Sequence, residues 1–278
     1  MIWISFIFSF LSFFVYKIDT FFRFQYLILG LHLMSVILPL IYFLKIHKKS
    51  FKLSNHYKYL LILSVLTIFF HFINLKTYPF VSVGDEVRDG GLNAVEINQG
   101  DYKDIFGYGR YESHGLIIPT INSVFVKLFP QSNLLYRAPT AIVGSLDVLL
   151  FYLLISLSFN STVAFWSALI LLTNPLHLFY SRTETVIIFS SLLSSLLIGI
   201  FLNTLNKAKK PIDFFTLFIL IGFSFNFHAS IKAVAIILVP YLIIKIFSLK
   251  KISSIIFSLF LLPISLIAGF GPRLFLLL

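Results

Sequence analysis

The sequence predicts an all-α polytopic membrane protein: a bundle of about nine transmembrane helices, with one large outer loop that carries amphipathic surface helices. Three observations predict it. The composition is 58% hydrophobic and 12% charged, whereas a soluble domain carries about 25% charged residues. Apolar stretches of spanning length recur along the chain. Seven of the eleven carboxylates fall in the 28 residues from Asp85 to Glu112. Ionised groups are costly in lipid, so an apolar chain that gathers them in one loop is expected to use them.

A bilayer-crossing helix needs about 20 mainly apolar residues. On that measure the spans are 2–17, 26–44, 59–75, 139–158, 162–180, 185–202, 213–229, 232–248 and 252–270. The first is short and is equally compatible with an interfacial helix. It has neither a basic start nor an A-x-A cleavage signal, so it is read as a retained helix rather than a signal peptide. Lysine sets the orientation. Segment 45–58 carries Lys45, Lys48, Lys49, Lys52 and Lys58 with no acid, which assigns it to the cytoplasm. Alternating spans then put Lys207, Lys209, Lys210, Lys250 and Lys251 inside and loop 76–138 outside. Lys17 and Arg23 land outside and make the first hairpin the discordant part. The sequon Asn160-Ser161-Thr162 falls in a tight inner turn and is read as chance. The net charge of +11 reflects these inner clusters, so nucleic acid is not an expected partner. With no cysteine, disulfides and thiolate metal sites are excluded.

Within the outer loop, 91–99 and 116–129 show amphipathic helical spacing and are expected to lie along the membrane surface. The loop opens at Tyr78-Pro79-Phe80, and Gly84-Asp85-Glu86 follows on backbone that Pro and Gly keep from being helical. Neighbouring like charges and partial desolvation raise a carboxylate's pKa, which can poise one of Asp85 and Glu86 as a general base. Farther on, Arg110, Glu112 and His114 place a cation, an acid and an imidazole within five residues. Such groups can hold a divalent metal, but no regular ligand spacing is present, so no metal or other cofactor is assigned. Arg137 stands at the mouth of the fourth span, as either an interfacial anchor or a phosphate contact. Arg182 and Glu184 are isolated charges between two apolar segments, compatible with a simple ion pair. Arginine is also suited to bidentate phosphate recognition. Lys232 sits at the outer turn before the eighth span. The topology sends Arg110, Arg137, Arg182 and Lys232 to the side that carries Asp85.

With these residues in place, the chain resembles a GT-C glycosyltransferase of the branch that contains protein O-mannosyltransferases and the lipid A aminoarabinose transferase. The resemblance rests on five features in order over about residues 59–232. They are Asp85-Glu86, the turn Gly100-Asp101-Tyr102, the segment Ser113-His114-Gly115, Arg137-Ala138-Pro139 with Gly144, and Pro175 with Tyr180-Ser181-Arg182. Two spans precede the shared module, and the double proline that family members often carry is absent at 114–116. On this likeness residues 1–58 are an amino-terminal hairpin and cytoplasmic loop, and 59–278 a GT-C-like module with the catalytic loop 76–138. Family members usually continue beyond this length, so the chain reads either as the amino-terminal part of a longer transferase or as a short member.

The resemblance implies an inverting transferase that moves a sugar from a polyprenyl-phosphate donor to a lipid, polysaccharide or protein acceptor. Asp85 would be the general base, Glu86 would position the acceptor or share that charge, and Arg182 with Arg137 or Lys232 would hold the phosphate. Arg110, Glu112, His114 and Glu184 complete the substrate-binding candidates. The protein would be a multi-pass protein of the plasma or inner membrane, in contact with its lipids and with its active loop on the extracytoplasmic side. A transporter or flippase of lipid-linked sugar would need ionisable groups near mid-membrane, where Asp147 is the clear acidic candidate. A non-catalytic membrane subunit that presents the acidic loop to a partner is the other alternative.

Overall fold

The computed structural model describes residues 2–19, 21–47, 56–80, 84, 91–109, 115–129, 132–208 and 210–276. Among the described residues twelve α-helices follow one another: α1 (Ile2–Ile18), α2 (Gln25–His47), α3 (Tyr57–Phe72), α4 (Asn93–Gln99), α5 (Ile117–Leu128), α6 (Asn133–Ser158), α7 (Ser161–Thr173), α8 (Pro175–Ser181), α9 (Ile187–Lys207), α10 (Phe215–Ser224), α11 (Ala229–Phe247) and α12 (Ile252–Phe270). Short 3-10 turns are present at Pro211–Phe214 and Gly271–Leu276. No strand occurs among the described residues; an isolated bridge joins Tyr108 to Gly115.

Every expected span falls on a helix, but fewer helices have spanning length. Among the described residues, α2, α6, α9, α11 and α12 are long and apolar enough to cross a membrane, and the α7–α8 pair would add a sixth. Against the expected nine, five or six of the described helices meet this measure, because α1, α3 and the 211–224 segment are shorter. The sequence reading ran through breaks at which the backbone turns. The expected span 162–180 is two helices bent by 65°. Asn174 closes α7 and caps α8, its side chain accepting from the N–H groups of Leu176 (2.9 Å) and His177 (3.3 Å). Pro175 takes the first position of α8, where the missing N–H costs nothing. The expected span 213–229 ends early, at Ser224. At the other extreme, α6 starts at Asn133, six residues before the expected 139, because Ser132 caps it by accepting from Leu135 N–H at 3.2 Å. Arg137 is therefore a helix residue and not a loop residue.

The chain divides into two compact units, residues 1–50 with 200–278 and residues 51–199. In the first, α1 packs along α2, and α10 packs against α12. Every residue of α10 is buried, as expected for a helix that is apolar on all sides. Its contact with α12 is close: a Cβ on Gly222 would lie 2.1 Å from the Leu266 carbonyl oxygen, and one on Gly269 would lie 2.0 Å from that of Ile219. Small residues permit this approach, the usual device for helix association in lipid. Gly269→Ala should therefore destabilise the protein by about 1–3 kcal/mol through overpacking. Gly30, also helical but with open space at its Cβ position, should tolerate alanine. Thermal unfolding of the two variants in detergent checks the contrast; equal midpoints would refute the close crossing.

In the second unit α6 is the hub, with α3, α5, α7 and α8 against it. Gly144 on α6 leaves room for α8, since a Cβ there would lie 2.4 Å from Ser181 Cβ. Both segments with amphipathic spacing are helical, as α4 and α5, and the two helices pack on each other. Gly100 ends α4 in the left-handed region at φ 86°. Asp101 N–H reaches the Glu96 carbonyl (3.0 Å) and Gly100 N–H that of Ile97 (3.2 Å), a Schellman close that requires glycine at this φ.

Candidate functional site

The second unit gathers buried polar side chains on the elements that lead into the acidic loop. Helix α3 ends at Phe72, and the last carbonyls of a helix have no intrahelical partner. Arg182, the C-cap residue of α8, supplies partners. Its guanidinium donates to the carbonyls of Phe70, Ile73 (2.6 Å) and Tyr78 (3.3 Å) and lies over the Tyr78 ring at 5.6 Å. A cation at a helix C-terminus also meets the negative end of the helix dipole. Burial pushes the Arg182 guanidinium down from its ordinary value; Tyr78 opposes the shift and neighbouring Arg137 adds to it.

Arg137 continues the same task one step along the chain. It is 1% exposed, and its Nη1 donates to the carbonyls of Leu75 (3.2 Å) and Pro79 (3.1 Å). Two buried arginines thus hold five carbonyls between Phe70 and Pro79, the stretch immediately before the acid pair. The sequence weighed a surface anchor against a phosphate contact for Arg137, and its described partners are instead these backbone carbonyls.

The orientation of Arg182 depends on α8, and α8 is clamped by a buried polar triad. His177 Nε2 lies 3.2 Å from Asp147 Oδ2, and Ser191 Oγ donates to the same oxygen at 2.6 Å. Asp147 lies on α6 and Ser191 on α9, so the carboxylate ties three helices together. His71 on α3 sits beside this group. Its ring centroid is 5.6 Å from that of His177, and its Nδ1 is 2.9 Å from Ser145 Oγ. An unpaired buried carboxylate would be costly, and these two hydrogen bonds offset part of that cost. The sequence marked Asp147 as a mid-span acid but did not identify His177 or Ser191 as its partners. The available signal was Asn174-Pro175, a cap followed by a first-turn proline, which starts a new helix and turns His177 inward.

Arg182 and Glu184 do not form the simple pair that their spacing suggested. Arg182 bonds the carbonyls named above, whereas Glu184, 2% exposed, receives a hydrogen bond from Asn122 Nδ2 on α5 at 3.4 Å. Lys232 lies in the first turn of α11 and belongs to the other unit. Asp85, Glu86, Arg110, Glu112 and His114 lie outside the described residues. Among the described residues no three His, Asp or Glu side chains converge in a metal-binding group.

Beside Arg182 the unit opens a groove of about 740 Å³. Phe69, Ile73, Tyr78, Phe80 and Phe179 line it, each more than a third exposed, and Arg182 is its charged residue. Its lining is otherwise mostly apolar, and Arg182 Nε makes no hydrogen bond within the described residues. An apolar trough with a guanidinium in its wall suits an amphiphile whose head is anionic.

The sequence model of a family described as dolichyl-phosphate-mannose-protein mannosyltransferase matches residues 113–270, more than half of the chain. No curated protein and no solved structure matches the chain significantly.

Proposed function

The chain belongs to the dolichyl-phosphate-mannose-protein mannosyltransferase family, and from that premise we propose a membrane glycosyltransferase that moves a sugar from a polyprenyl-phosphate donor to an acceptor hydroxyl on the extracytoplasmic side, with inversion. The observation that carries the reading is the aromatic groove with Arg182 in its wall. The isoprenoid of the donor lies against Phe69, Tyr78, Phe80 and Phe179, and its phosphate meets Arg182. Four residues lie between Phe80 and Asp85, and this tether of five Cα-to-Cα steps spans at most about 18 Å. The acid pair is therefore within reach of a donor seated in the groove.

In this mechanism Asp85 accepts the proton of the acceptor hydroxyl as its oxygen attacks the anomeric carbon. The new glycosidic bond forms while the bond from that carbon to the phosphate oxygen breaks. The electron pair leaves with the polyprenyl phosphate, whose growing charge Arg182 stabilises. Glu86 positions the acceptor, and Arg137 shapes the approach segment by holding Leu75 and Pro79. Arg110, Glu112, His114 and Glu184 are assigned to substrate binding. The helices of the outer loop limit water at the reacting carbon and so limit hydrolysis.

Membranes containing the protein, supplied with a labelled polyprenyl-phosphate sugar, should form a labelled glycoside whose anomeric configuration is opposite to the donor's. Retained configuration would refute the direct displacement. Movement of the intact donor between leaflets with no new glycosidic bond would refute transfer altogether.

A further inference from the structure

A second amphiphile-shaped feature lies in the other unit, on residues that the transferase reading does not use. The inner end of α2, the last turns of α9 and the 3-10 turn after it enclose a cavity of about 250 Å³. Asn203 and Thr204, 1% and 3% exposed, line it. Asn203 Nδ2 and Thr204 Oγ1 make no hydrogen bond within the described residues. Buried amide and hydroxyl groups are ordinarily satisfied, so two adjacent ones on residues that line one cavity mark a place where something else supplies the partners. Tyr42 and Asp213, whose carboxylate accepts from Lys210 N–H at 3.0 Å, also line it.

The cavity adjoins two apolar ones. Tyr42 and Ile212 are shared with a neighbouring cavity of about 230 Å³, lined otherwise by Ile2, Trp3, Phe6, Phe257 and Leu261. Trp3, Phe6, Phe257 and Leu261 are shared in turn with a third, of about 360 Å³, which continues along α1 and α12 beside Phe10, Phe13 and Ile264. A cavity with polar groups in its lining thus shares wall residues with a long apolar trough, all within one unit.

We propose that this unit holds one anionic glycerophospholipid with a hydroxylated headgroup. The headgroup occupies the polar cavity and an acyl chain occupies the aromatic trough. Asn203 Nδ2 donates to a headgroup hydroxyl oxygen, Thr204 Oγ1 donates or accepts, and the Asp213 carboxylate accepts from a hydroxyl hydrogen. A trimethylammonium head has no hydroxyl to offer any of the three. The phosphate lies where the polar and apolar cavities meet, beside Tyr42. Lys45 is one helical turn from Tyr42 on the same face of α2 and is exposed, as is Lys210 ahead of Ile212. Basic residues at the mouth of such a pocket attract anionic headgroups.

The test uses the full chain in phosphatidylcholine nanodiscs doped with a minor fraction of phosphatidylglycerol, and reads the lipids retained after a delipidating wash by mass spectrometry. Wild type should keep one phosphatidylglycerol per chain at about tenfold enrichment over its bulk fraction, the equivalent of one or two net hydrogen bonds. Asn203→Leu with Thr204→Val should bring the enrichment close to one, and Thr204→Ser should keep it. Asn203→Asp conserves size but adds negative charge. In protein that elutes as wild type on gel filtration, it should also abolish the enrichment. Equal retention of phosphatidylcholine and phosphatidylglycerol by wild type would overturn the proposal, as would an enrichment unchanged in all variants. Two further arms separate the sources of the same chemistry. Preferential retention of added polyprenyl phosphate would make this a donor site instead, and displacement of the lipid by free glycerol phosphate would remove the role of the trough.

Discussion

Asp85→Asn should lower sugar transfer by about 10²–10⁴-fold in protein that inserts and folds as wild type does, the range that a positioned general base contributes. Asparagine keeps the size of aspartate and its capacity to accept a hydrogen bond, but it cannot take the acceptor's proton at neutral pH. The loss should fall on kcat, with the apparent affinity for the lipid donor little changed, because the groove residues are untouched. Glu86→Gln is the internal control. If Glu86 positions the acceptor, its variant raises the acceptor KM more than it lowers kcat. The measurement is label transfer from a polyprenyl-phosphate sugar in membranes, normalised to the amount of folded protein. Wild-type turnover by Asp85→Asn would remove the base assignment, and equal losses in the two variants would leave the pair acting as a unit.

What the sequence made legible depended on the range over which each signal acts. Apolar periodicity is local, so the helices were placed well, α4 and α5 included, and the Gly100 turn closes α4 where glycine predicts it. Breaks were less legible, because the Pro175 that begins α8 and the Pro139 inside α6 are the same residue in opposite roles. The difference lies in the cap before each: Asn174 immediately precedes Pro175, whereas Ser132 caps α6 seven residues ahead of Pro139. The partners of the charged residues were the least legible. Arg182 bonds carbonyls 104 to 112 residues away, and Asp147 meets side chains 30 and 44 residues away. No local pattern encodes such contacts. Sequence reasoning offered Arg182 the nearest acid, Glu184, and the fold gave it the end of α3. The residues that carry the proposed chemistry were therefore named by type and order, and their supporting contacts came from the fold.

Arg182 should prove to have two separable tasks, and Arg182→Ala is expected to fail in both. Three backbone carbonyls lose their donor, which costs about 1–3 kcal/mol when such groups stay buried. The leaving phosphate loses its cation, which costs about 10²–10³-fold in kcat by analogy with removal of one preorganised donor. A drop in activity alone cannot distinguish these, so the decisive variant is Arg182→Lys. Lysine restores the charge but not the planar fork, which bonds several carbonyls at once while resting on Tyr78. It should recover part of the catalytic loss while leaving the thermal midpoint below wild type. Arg137→Lys supplies the complement. Its carbonyl contacts lie at Leu75 and Pro79 and it does not line the groove, so it should lower stability and leave kcat within about tenfold of wild type. Asp147→Asn probes the same arrangement from behind α8. It keeps the hydrogen bond from Ser191 but weakens the hold on His177, and should reduce transfer less than Arg182→Ala does. If Arg182→Ala protein of normal stability transfers sugar at the wild-type rate, Arg182 is only a helix cap, and the phosphate must be held by another cation.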